Sequence, residues 1–211
     1  MAKVKICGVT IYDDAMLVTN IGAEYVGFNF YKESPRKISS KNAKDIISKL
    51  PPFITPVGVF VNEDKEVLKK TAKKCGIKML QLHGDESPEY CLEAASETSL
   101  PVIKAFRIKD ESSLEQINAY KDVVNYFLLD TYVPGEPGGT GEVFNWDLAV
   151  KVKELNKPIF LAGGLNPDNV ASAIEKVQPY AVDVSSGVER LTRRKDFDKV
   201  SKFVRGARGL K

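Results

Sequence analysis

The stretch Phe160–Val188, FLAGGLNPDNVASAIEKVQPYAVDVSSGV, decides how this chain is read. It contains two short apolar strands, one over Pro158–Leu161 and one over Tyr180–Val184, with an amphipathic helix between them. The first strand runs into Ala162-Gly163-Gly164 and the second into Ser185-Ser186-Gly187. The helix is expected to open after Asn166 with Pro167 at its first position, where a missing N–H costs nothing. Glycines let backbone N–H groups approach an anion closely, and a helix N-terminus adds partial positive charge. A lone Gly-Gly pair is most often just a tight turn. Two such loops on consecutive strands near the end of a β/α chain are more specific, because barrels often bind phosphate after their seventh and eighth strands.

The same alternation runs back to the N-terminus. Strands are expected at Lys3–Cys7, Tyr25–Phe30, Thr55–Phe60, Lys78–Leu82, Pro101–Phe106 and Tyr126–Leu129. Each is followed by a helix-period segment, and these close at signals such as Gly22, Pro51-Pro52 and Gly76. With the two strands above, that makes eight strand–helix units in 211 residues and leaves no spare segment for a second domain. Repeated βα units imply a parallel sheet with right-handed crossovers. The fold class is therefore α/β, a single-domain (β/α)8 TIM barrel over residues 1–211, with a doubly wound open sheet as the structural alternative. The longest loop, Thr131–Val143, is rich in Gly and Pro and reads as a mobile cover over a site.

Composition narrows the partners. Hydrophobic residues make up 43% and charged residues 28%, ordinary values for a soluble globular chain. A net charge of +3, with Lys and Arg spread along the helices, does not suggest nucleic-acid binding. No apolar run reaches the length of a membrane span, and MAKVKICGVT lacks the apolar core of a secretion signal. Three cysteines without a CxxC pair argue against a disulfide framework and for a reducing, cytoplasmic setting. One histidine and scattered cysteines provide no zinc-ligand spacing.

In a barrel of this kind the chemistry sits at the C-terminal ends of the strands. Cys7 and Asp130 are the two residues there suited to moving protons between carbon and oxygen. Taken alone, a strand cysteine is usually a small core residue. An acid closing the apolar run YFLLD must be hydrogen-bonded or working, since an unpaired buried carboxylate is costly. Together they make a base and acid pair. A free thiol with a pKa near 8.5 is only about 3% thiolate at pH 7, so its pKa must fall, and Lys5 and Arg36 are the candidate compensating charges. Both residues also admit a structural role, Lys5 as a paired barrel ion and Arg36 as a solvated loop residue. His83 reads as a loop-packing or supporting residue. Lys104 either forms a Schiff base or, the favoured reading, pairs inside the barrel. Trp146 packs a helix on the barrel, and Cys75 and Cys91 show no partner for chemistry.

These residues belong to a larger set. KICGVT (Lys5–Thr10), GFNFY with SPRKIS (Gly27–Ser39), VGVFVNE (Val57–Glu63), LQLHGDE (Leu80–Glu86), LLDT (Leu128–Thr131), GGTG (Gly138–Gly141), LAGGLNPDNV (Leu161–Val170) and VDVSSGVE (Val182–Glu189) resemble the phosphoribosylanthranilate isomerase family from end to end. The resemblance implies a (β/α)8 enzyme of tryptophan biosynthesis that performs an Amadori rearrangement of N-(5-phosphoribosyl)anthranilate, with no cofactor or metal. It implies Asp130 as general acid, kept protonated by burial, and Cys7 as general base at ribose C2. Arg36 would face the anthranilate carboxylate, and His83 and Asp183 would contact substrate, with Asp183 on the sugar hydroxyls or supporting the loop. Gly163, Gly164, Ser185, Ser186 and Gly187 would hold the phosphate. The partner is a small phosphosugar, and the chain a monomer or a homodimer. The rival readings are a two-aspartate phosphosugar isomerase, which Cys7 argues against, a Schiff-base aldolase built on Lys104, and a non-catalytic phosphosugar-binding barrel.

Overall fold

The structure is a computed structural model that describes residues 1–131 and 145–210. From residue 132 on, the loop read as a cover lies outside the described residues, as does the GGTG motif. Eight strands, β1 (Lys3–Ile6), β2 (Tyr25–Asn29), β3 (Thr55–Phe60), β4 (Met79–Leu82), β5 (Val102–Ile108), β6 (Tyr126–Thr131), β7 (Ile159–Leu161) and β8 (Ala181–Val184), form a closed barrel in chain order. All pair in parallel, and β1 closes the ring against β8 with Lys5 opposite Asp183. Between and after them lie α1 (Tyr12–Ile21), α2 (Ser40–Ile47), α3 (Lys65–Cys75), α4 (Pro88–Thr98), α5 (Ser112–Asn118), α6 (Trp146–Val152), α7 (Val170–Val177) and α8 (Phe197–Ala207). The barrel reading is correct and the open sheet is excluded.

Local chemistry accounts for the helix starts. Ser39, Asp64, Ser87 and Asp196 each accept a hydrogen bond from a backbone N–H in the first turn of the helix that follows. Pro88 takes the first position of α4. Strand side chains alternate between two cores. Tyr25, Val57, Met79, Ile103, Ala105, Leu128, Phe160 and Ala181 point into the barrel and pack on one another. Their neighbours Val26, Leu80, Leu82, Val102, Phe127, Leu129, Leu161 and Val182 face the helices and join Val18, Leu68, Ala94, Ala149, Ala173 and Phe203. At the N-terminal end of the strands Phe160 meets Tyr25 and Tyr126 edge-on, and Tyr25 and Tyr180 share a 2.9 Å hydroxyl contact. That end is thus filled, and the open end is the C-terminal one.

Two features depart from the sequence-based expectation. The seventh helix begins at Val170, not after Asn166. Asn166 Oδ1 accepts from the N–H groups of Asp168 and Asn169, and Asn169 Oδ1 accepts from Asn166 N, so this pair forms a side-chain-stabilised turn that delays the helix. After β8 the chain makes a single 3₁₀ turn, Ser186–Val188, and then a two-stranded antiparallel ribbon of β9 (Glu189–Leu191) and β10 (Arg194–Lys195). The ribbon was not expected.

Candidate active site

A pocket opens at the C-terminal ends of the strands. It is lined by all ten residues that the resemblance marks as catalytic or substrate-binding: Cys7, Arg36, His83, Asp130, Gly163, Gly164, Asp183, Ser185, Ser186 and Gly187. Asn29, Ser34, Gln81 and Arg107 line it as well, without having been assigned a role.

Cys7 follows β1, and its backbone N–H bonds to the Val184 carbonyl at 2.8 Å, which fixes it beside the end of β8. Lys5 lies two residues back on the same face and is wholly buried, with Nζ 2.9 Å from Asp183 Oδ1. The structure therefore makes Lys5 a paired barrel ion and also an immediate electrostatic neighbour of the thiol. Burial pushes the Cys7 thiol up, the Asp183 carboxylate adds to that push, and Lys5 and Lys195 pull it back down without overcoming it. The Cys7 thiol thus stands above its ordinary value, because desolvation outweighs the two ammonium groups, whereas a base needs it to fall.

Asp130 is the penultimate residue of β6, with Oδ1 accepting from Thr131 N at 2.8 Å. His83 Nε2 lies 3.4 Å from its Oδ2, and His83 Nδ1 is 2.8 Å from Gln81 Nε2. The only histidine is therefore set against the carboxyl group and is more than loop packing. Behind Asp130, Gly163 has φ +80°, and a Cβ there would stand 2.2 Å from Thr131 Oγ1. Only a glycine lets the loop after β7 pack this closely on the strand that carries the acid.

Arg36 is held by Glu189, with Nε donating to Oε1 at 2.9 Å and Nη2 to Oε2 at 2.7 Å. It is no solvated loop residue. Lys104 corrects another expectation: it faces the helix layer, opposite to its barrel-facing neighbours Ile103 and Ala105, and does not pair inside the barrel. Its Nζ donates to the Gly84 and Ala105 carbonyls and to Glu86 Oε2 at 2.7, 3.2 and 3.0 Å, and it does not line the pocket. A Schiff-base role has no access to substrate. Trp146 packs against the outer core as expected, and Cys75 and Cys91 are buried away from the pocket. Among the described residues no group of three or more His, Cys, Asp or Glu is arranged to hold a metal ion, and no helix is long and apolar enough to cross a membrane.

Glu189 and Lys195 do not line the pocket but hold Arg36 and Ser185 from behind, and the sequence reading missed both. Both come from the unexpected ribbon, whose turn at Thr192-Arg193 carries neither Gly nor Asn to announce it.

The family model for N-(5'-phosphoribosyl)anthranilate (PRA) isomerase matches residues 4–206. An N-(5'-phosphoribosyl)anthranilate isomerase of Geotalea uraniireducens is 50% identical over 210 residues, covering 100% of both chains. Among solved structures, monomers generated from a dimeric phosphoribosylanthranilate isomerase of Thermotoga maritima superpose with a TM-score of 0.90 at 40% identity, with 100% of both chains covered. A phosphoribosyl anthranilate isomerase in complex with reduced 1-(o-carboxyphenylamino)-1-deoxyribulose 5-phosphate gives a TM-score of 0.90 at 41% identity, again over 100% of both chains. This chain belongs to the N-(5'-phosphoribosyl)anthranilate isomerase family.

Proposed function

We propose that this chain catalyses the Amadori rearrangement of N-(5'-phosphoribosyl)anthranilate to 1-(2-carboxyphenylamino)-1-deoxyribulose 5-phosphate, as a step of tryptophan biosynthesis. The observation that carries the reading is the meeting of Cys7 and Asp130 in one pocket that also receives both glycine-bearing loops. Asp130, as the carboxylic acid, protonates the furanose ring oxygen while the nitrogen lone pair forms the C1=N bond and the ring opens. Cys7, as the thiolate, takes the proton from C2, and the C–H electrons form the C1=C2 bond of an enolamine. Tautomerisation moves a proton from the C2 hydroxyl to C1 and leaves the ketone. The substrate keeps its composition, and proton exchange with water restores the acid and the base.

The remaining groups bind. Backbone N–H groups around Gly163, Gly164, Ser185, Ser186 and Gly187 receive the phosphate, aided by the start of the 3₁₀ turn. Arg36 recognises the anthranilate carboxylate through its guanidinium. His83 contacts substrate next to the acid, and Asp183 contacts the sugar hydroxyls while holding Lys5. One domain, residues 1–211, carries the whole reaction, in the cytoplasm, where free thiols persist. The dimeric Thermotoga relative favours a homodimer over a monomer, to be measured as a solution mass near twice 23.3 kDa.

The test is the fluorescence of freshly generated phosphoribosylanthranilate. With the chain present it decays far faster than the spontaneous rate, and the product has the mass of its substrate and is reducible by borohydride at C2. Decay at the spontaneous rate alone would leave a binding barrel.

A further inference from the structure

Glu189 is buried in β9, does not line the pocket, and has no part in the proton transfers above. It nevertheless joins two cations of the site. Besides its paired contacts to Arg36, its Oε1 accepts from Lys195 Nζ at 3.0 Å, and the same Nζ donates to the Ser185 carbonyl at 3.1 Å. Burial works to raise the Glu189 carboxyl, but the hydrogen bonds from Arg36 and the charge of Lys195 outweigh it and hold the group below its usual range. The carboxylate is thus ionised, and buried charge of this kind persists only where it is paired and hydrogen-bonded.

The geometry of the pair limits what Arg36 can do. A guanidinium carries five N–H donors in one rigid plane. Glu189 takes one from Nε and one from Nη2, so the side edge is occupied and the end edge, Nη1 with Nη2, is left for a second planar anion. The stem is fixed as well. Gly8 has φ +75°, and a Cβ there would stand 2.5 Å from Arg36 Cδ, so the side chain lies directly on bare backbone.

We propose that Glu189 is a positioning residue for carboxylate recognition. It sets the plane of Arg36 so that the end edge meets the carboxylate on the substrate ring, and through Lys195 it ties that arm to Ser185 at the phosphate end. A substrate anionic at both ends is then gripped by one frame closed through a single buried side chain. This inference rests on the carboxylate-binding role of Arg36 proposed above.

The test compares two ligands, 1-(2-carboxyphenylamino)-1-deoxyribitol 5-phosphate and its phenylamino counterpart without the carboxylate, by calorimetry on the intact protein. Wild type binds the first at least about tenfold tighter, the margin of one charge-assisted pair. Glu189→Gln, nearly the same shape without the charge, reduces that ratio to below about threefold, and so does Arg36→Met. The double variant loses no more than either single one. Glu189→Asp keeps the charge but shortens the reach, and its ratio also falls; it serves should the Gln variant not fold. A ratio lost in Arg36→Met but kept in both Glu189 variants overturns the positioning role and leaves Arg36 in place. A ratio kept in Arg36→Met overturns the Arg36 reading and this inference with it.

Discussion

Two lysines are buried in barrel strands, Lys5 in β1 and Lys104 in β5, and both are ion-paired at about the same distance, 2.9 and 3.0 Å. They do different work because they stand on opposite faces of the sheet. Lys5 shares the inner face with Cys7 and bonds Asp183, so its charge is felt by the thiol at the pocket floor. Lys104 points to the helix layer. There it meets Glu86, whose carboxylate also accepts from Asn62 N and Gly84 N, and lies over the rings of Phe106 and Tyr120. One lysine lies against the proposed base, and the other clamps the loop that presents His83. Burial and pairing are common to both, so neither property marks a functional lysine; the face of the strand does.

Separate replacement of the two lysines should divide stability from chemistry. Lys104→Met leaves the Glu86 carboxylate buried with its cation removed, which costs about 3–5 kcal/mol. Urea unfolding reads that loss as a lower midpoint, while the folded fraction keeps kcat within about threefold of wild type. A large fall in kcat with unchanged stability would place Lys104 in the chemistry. On the other face, Asp130→Asn removes the proposed acid and lowers kcat by at least about a hundredfold, about 2.7 kcal/mol of barrel-mouth chemistry. A circular dichroism melt close to wild type accompanies it.

Lys5→Met has a smaller effect, and its sign follows from the thiol. The proposed base is the thiolate, and burial already holds the Cys7 pKa above its ordinary value, against the pull of Lys5. Removal of that ammonium raises the pKa further, so the rising limb of kcat/KM against pH moves to higher pH. Activity near pH 7 falls by about tenfold for each unit of that move and recovers in alkali. A pH profile that superposes on wild type would exclude Lys5 from the tuning of Cys7. Smallest is the thiol count. Cys75 and Cys91 are buried and Cys7 is partly exposed, so a thiol reagent should titrate one group of the three in the native protein and all three in denaturant. The Cys91 thiol, pushed up to about 12 by burial, keeps its proton in the fold while the unfolded chain loses it above pH 9. Stability should therefore decline as pH rises from about 9 toward 12.

The barrel was legible in the sequence because each strand is a short apolar run stopped by Gly, Pro or a capping residue, and those signals are local. The floor of the site was legible for the same reason: Lys5 and Cys7 are two residues apart and must share a face. The face of Lys104 follows from the same counting, since Ile103 and Ala105 flank it; the sequence reading expected it to pair, as it does with Glu86, but set that pair inside the barrel and not on the outer face. Glu189 was hidden for a different reason. Its partner Arg36 is 153 residues away, and the ribbon that presents it turns on Thr192-Arg193 without a turn residue. The late start of α7 depends on two asparagine side chains bonding each other's backbone, where a proline at 167 alone suggests an earlier start. Local pattern thus gave the strand ends, and the long-range pairs that aim side chains at those ends needed the structure.

The most direct test of the account is Cys7→Ser, assayed by the fluorescence decay of phosphoribosylanthranilate across pH. Serine keeps the size and hydrogen bonding of the thiol but cannot ionise in this range. The account predicts a loss of at least about a hundredfold in kcat/KM together with the absence of the alkaline rise that it predicts for wild type. A Cys7→Ser variant with wild-type rate and an unchanged pH profile would contradict the assignment of the base.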